Sequence, residues 1–155
     1  MPWAIIRLGW IPVPDDPAAA LNRVLSEVID VIQEVKQADW KVPKTHELHG
    51  KLDQLLSDLV RWKTLLGDLD QALGVSPLSF MPSAEGRNPL NLWPGRPTDE
   101  EVLALVDEHL SRLEDHVSVA REEQLDERSR MTLAEVGHGL SAHRRALMRN
   151  GSTES

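Results

Sequence analysis

The sequence predicts an all-α protein, a four-helix bundle with a long crossover between the second and third helices. Three observations carry this reading. Apolar residues recur at intervals of three and four over four separate stretches, the period of a helix with one buried face. Capping residues stand where those stretches begin and end. A proline-rich segment with no helical period divides them two and two.

Residues 1–15 read as an extended N-terminal arm, with Pro2, Pro12 and Pro14 around WAIIRLGWI. No second strand-like stretch is present to pair with it, so the arm is expected to cover the bundle or a neighbouring subunit. The bundle is expected over residues 16–149. Asp16 followed by Pro17 is a helix start, a capping carboxylate and then proline at the first helical position. Leu21, Val24, Leu25, Val28, Ile29, Ile32 and Val35 form the first stripe, and Pro43 breaks it. The second helix is expected from about Thr45 to Leu73, with Leu48, Leu52, Leu55, Leu56, Leu59, Leu66 and Leu69 inward and Gly74 as its stop. Residues 75–97 hold five prolines and read as the crossover. Thr98 with Glu101 is a capping box, opening a helix with Val102, Leu105, Val106, Leu110, Leu113 and Val117 inward. A fourth helix from about Ser129 to Arg149 places Leu133, Val136, Leu140 and Leu147 inward, and residues 150–155 read as a disordered tail.

Composition narrows the function classes. The chain has 155 residues, room for one domain with a sizeable core, and no cysteine, so disulfides and thiolate metal sites are excluded. No apolar run approaches the ~20 residues of a membrane span. The N-terminus lacks the basic start and small-residue cleavage site of a signal peptide, and a cytoplasmic protein is expected. A net charge of -8, with Arg144, Arg145 and Arg149 as the one basic cluster, argues against DNA as a partner.

Several residues then fall into step with a known family. Leu21-Asn22-Arg23, Ile29-Asp30 and Lys36-Gln37-Ala38 before Trp40, then Leu48-His49, Leu52-Asp53 and Leu73-Gly74, resemble the first two helices of the Dps family, the small ferritin-like cage proteins. Asp126 through Ser129, Leu133, Leu140, His143 and Leu147 resemble its last helix. The resemblance covers roughly residues 18–148. It implies a ferritin-like bundle and a homo-oligomer, a dodecamer built from two-fold dimers, that binds, oxidises and stores iron between subunits.

In that family one subunit gives a histidine before the first-helix tryptophan and the histidine opening the second helix, while its partner gives an aspartate and a glutamate from its own second helix. The matching positions here are Asp39, His49, Thr64 and Asp68. The resemblance therefore implies Asp39, His49 and Asp68 as metal ligands, with Trp40, Asp53 and Thr64 nearby. Imidazole with carboxylate suits iron, whereas a threonine is a poor replacement for a carboxylate ligand. A cage that has lost its ferroxidase site is the alternative. His49 and Asp68 stand about 28 Å apart along one helix at ~1.5 Å per residue, so a site using both needs two chains. Glu122, Glu123 and Asp126 fall where the family lines its pores with acids, and a solvated charge run explains them equally well. Glu135 and His138 read as a surface pair. His138 and His143 are spaced five apart, which argues against a DinB-like metal enzyme. His109 and His116 share a helix face with nothing nearby in the sequence to complete a site.

Overall fold

The computed structural model describes residues 17–74 and 96–153. These form four helices, α1 (Pro17–Lys41), α2 (Glu47–Ala72), α3 (Asp99–Arg121) and α4 (Glu127–Thr153), with no strand among the described residues. The protein is an all-α four-helix bundle. The N-terminal arm and the segment read as a crossover lie outside the described residues, and α4 continues past the end at Arg149 that the sequence led us to expect.

The helix ends follow local chemistry. α1 starts at Pro17 and stops at Lys41, two residues ahead of Pro43. α2 begins at Glu47 behind His46, whose side chain makes no capping bond. It ends where Gly74 takes φ 88°, a left-handed conformation that a Cβ would resist. Thr98 and Glu101 close a full capping box at the start of α3: Glu101 N–H donates to Thr98 Oγ1 at 3.1 Å, and Thr98 N–H donates to Glu101 Oε1 at 2.8 Å. Ser129 N–H donates to Asp126 Oδ1 at 2.7 Å, ordering the start of α4.

The expected stripes do meet in one core. Leu21, Val28 and Val35 from α1, Leu48, Leu52, Leu55, Leu59 and Leu66 from α2, Val102, Leu110 and Leu113 from α3, and Leu133, Val136 and Leu140 from α4 are at most 1% exposed. Burial of one such side chain is worth about 1.5–3 kcal/mol. Ile29, Leu56 and Leu105 are only partly buried, packed on the edge of that core. Trp62, not among the inward positions expected for the second helix, is its largest member. The indole fits because residue 139 is glycine: a Cβ there would lie 2.3 Å from Trp62 Cζ2.

Side-chain contacts fix the helix directions. Glu34 with His109 and Glu27 with His116 run α1 against α3, while Asp58 with His143 and Lys51 with the Ala146 carbonyl run α2 against α4. His46 meets Asp99, so the starts of α2 and α3 lie at the same end. The bundle is thus two antiparallel hairpins, α1–α2 and α3–α4, laid side by side. No described helix is long and apolar enough to cross a membrane.

Candidate metal centre

The turn at Val42–His46 brings the last residues of α1 against the first turns of α2. Asp39 stands near the end of α1, and His49 and Asp53, spaced i and i+4, present one face of α2 to it. His49 Nε2 lies 3.2 Å from Asp39 Oδ1, and His49 Nδ1 lies 3.5 Å from Asp53 Oδ2. One donor atom from each of the three falls within 4.8 Å of the others, the one such group of three among the described residues. Asp39 and His49 are half-buried while Asp53 faces solvent. The three line a cleft of about 410 Å³ with Lys36, Trp40, Val42, Lys44 and Leu56.

The electrostatics of the cluster are those of donors held close together. Asp39 Oδ1 is buried without a hydrogen bond. Burial, and then the adjoining Asp53 carboxyl, push the Asp39 acid up to about 6, while His49 and Lys44 pull it down. A dication placed among these groups would relieve the crowding of the two carboxylates. Two aspartates and one imidazole form a donor set suited to a borderline first-row cation. Trp40 is 80% exposed beside the cluster, with the Lys41 ammonium 5.9 Å from its ring centre.

Of the positions singled out in the sequence, Asp39, His49 and Asp53 therefore come together, with Asp53 a neighbour close enough to be a ligand itself. Asp68 and Thr64 lie elsewhere on α2, both exposed, and the Thr64 hydroxyl donates to the Val60 carbonyl of its own helix at 3.3 Å. Glu122 closes α3, Glu123 follows it, and Asp126 caps α4. The Ser129 amide and hydroxyl hold the Asp126 carboxyl below the usual range, so this member of the acidic run has a structural task. Glu135 forms an ion pair with Arg61.

The burial of three acids was not legible in the sequence. Asp30 and Glu34 lie at the border of the α1 stripe, and Asp70 is wholly buried near the end of α2. Burial raises Asp70 to about 6, and burial with the nearby Asp30 raises Glu34 to about 7. Neither the Glu34 nor the Asp70 carboxyl makes a hydrogen bond. The signal available for Asp30 and Glu34 was two acids four apart beside an apolar stripe, a spacing shared by many solvated helix faces. His109 and His116 do find partners, in Glu34 and Glu27 across the α1–α3 seam.

Comparisons with models of known protein families, with curated proteins and with solved structures found no match.

Proposed function

We propose that the chain is a ferritin-like subunit of the Dps type, which pairs with a second copy and binds a first-row divalent cation, iron as cargo, at the Asp39–His49–Asp53 cluster. The observation that carries this reading is the cluster itself: three donors of the right chemistry, converging at the mouth of an open cleft. The directions of the helices agree with it. α2 ends at the opposite end of the bundle from the start of α3, so residues 75–97 would run its length as the crossover of a ferritin-like fold.

The outward face of α2 supports a two-fold partner. Gly50, Asp53, Ser57, Val60, Thr64 and Gly67 follow one another along it at helical spacing, and a Cβ on Gly50 or Gly67 would meet nothing within 4 Å. Antiparallel pairing of this face on itself sets Gly50 against Gly67 and Asp53 against Thr64 of the second copy. The same register sets His49 against Asp68 of that copy, adding the carboxylate that one chain cannot supply. The exposed Trp40 would be covered at the rim of that contact. Six such dimers closing into a shell would give the dodecamer, holding iron inside.

The second reading is the same assembly without iron oxidation. Thr64 favours it, since its hydroxyl is spent on its own helix and offers no carboxylate to the site.

Anaerobic titration with Fe²⁺ or Co²⁺, together with sizing by light scattering, tests the proposal. Wild-type protein is expected to bind as a large oligomer, Asp68→Asn to bind more weakly, and Gly67→Leu to stay folded but fall to monomer. Binding no stronger than that of His49→Ala would overturn the metal reading. A wild-type monomer would overturn the cage. Admitting oxygen then separates the two readings, because iron oxidation at the buffer rate leaves the second.

A further inference from the structure

The cleft that holds Asp39, His49 and Asp53 is not lined by metal donors alone. Lys36 and Lys44, two of the chain's five lysines, line it too. Lys36 lies three residues before Asp39 on α1, so the two side chains leave that helix on one side. Lys44 stands in the turn between α1 and α2, close enough for its charge to pull the Asp39 carboxyl down. Both lysines are exposed, and neither makes an ion pair among the described residues. Two neighbouring lysines are engaged elsewhere: Lys41 stands 5.9 Å from the Trp40 ring centre, and Lys51 donates to the Ala146 carbonyl.

Charge decides what such a cleft attracts. Empty, its two carboxylates and two ammoniums balance, within a chain of net charge -8. A dication on the three donors leaves two positive charges in excess, or one once Asp68 of a second copy adds its carboxylate. Ferrous iron held by a few side chains, imidazole and carboxylate together, keeps positions open to an outside ligand. Water suffices for those positions where the surroundings are neutral. Here two ammoniums flank them, and a ligand with negative charge and several oxygens meets the ion and the lysines at once. Lysine binds phosphate as a point charge, and such charge-assisted bonds are the strong ones.

We propose that the metal-loaded cluster takes a small tetrahedral oxyanion, free phosphate, as a further ligand, held between the metal and the Lys36 and Lys44 ammoniums. This inference rests on the metal reading above and adds a co-ligand to it. The empty cleft turns its two carboxylates toward an anion and binds phosphate weakly. Metal and phosphate therefore bind with positive coupling, each tightening the other by the same factor.

Calorimetric titration with Co²⁺, in chloride and in phosphate at matched ionic strength, tests this, each isotherm being referred to free Co²⁺. Wild-type protein is expected to bind Co²⁺ at least about fivefold more tightly in phosphate. Lys36→Gln/Lys44→Gln should bind at least as tightly as wild type in chloride, where two repelling charges are gone, and should lose the gain in phosphate. Lys36→Arg/Lys44→Arg should keep most of the gain, and Lys63→Gln, on an exposed α2 site away from the cleft, all of it. If the double glutamine variant does not fold, Lys44→Gln alone is expected to lose part of the gain. Equal Co²⁺ affinity in the two media would overturn the inference and leave the metal centre standing. A gain undiminished by the glutamine substitutions would overturn it as well. No binding of Co²⁺ in either medium would overturn the metal centre itself, and the inference with it.

Discussion

Aspartate or glutamate meets histidine in two contrasting places in this bundle. At the α1–α2 turn, Asp39, His49 and Asp53 converge on a cleft open to solvent, with Asp53 more than half exposed. In the α1–α3 seam, Glu34 and His109 face each other with 2% and 13% of their side chains exposed. The donor chemistry is the same, and the surroundings differ. The open cluster has a third donor and a route for an ion to enter. The closed pair has two donors largely shielded from solvent, where a neutral, protonated carboxyl costs less than a charged one.

The sharpest way to break this contrast is His49→Ala. Losing a direct ligand should weaken Fe²⁺ or Co²⁺ binding by about 100-fold or more, beyond the ~10–100-fold typical of losing an outer partner. Its urea stability at pH 7 should change by no more than about 0.5 kcal/mol, since the side chain touches solvent. His109→Gln should do the reverse, leaving metal binding intact.

Glu34→Gln sharpens the other side. Removing a buried acid whose folded pKa is raised should stabilise the chain by on the order of 2 kcal/mol at pH 8 and by nothing at pH 4, measured by urea unfolding across that range. Asp70→Asn should show the same sign with a smaller size, about 1–2 kcal/mol. Its gain should appear as pH rises through about 6, because the folded chain keeps that carboxyl protonated up to there. The smallest effect belongs to the α3 start beside the His46–Asp99 contact. Thr98→Ala breaks the capping box and should cost about 1 kcal/mol with little pH dependence.

How far the sequence could be read differs between these places for a physical reason. The ends of the helices and their apolar stripes depend on residues within one or two turns, so Pro17, Pro43, Gly74 and Thr98 announce themselves. Asp39 and His49 were legible through a family resemblance. Asp53 was legible only as a neighbour, through the same resemblance, although two residues four apart on a helix share a face. Asp68 was legible through the same resemblance as a ligand from a second copy, since ~28 Å of helix separates it from His49 in one chain. The seam pairs were invisible, since Glu34 and His109 are far apart in sequence and each sits among residues that would suit a solvated face.

Trp62 marks the same boundary within the core. Its helix was expected to turn leucines inward, and the indole joins them because Gly139, on a helix two elements later, leaves a notch for the ring. The sequence by itself determined four amphipathic helices, where they start and stop, and which faces lack water, since period and capping are local. Which helices lie side by side, and so which acid meets which histidine, was decided by tertiary packing alone. Whether a carboxylate ends beside an imidazole in water or under a layer of leucines is a property of the assembled bundle, and here that difference separates the cluster proposed to bind a metal from a buried acid that keeps its proton.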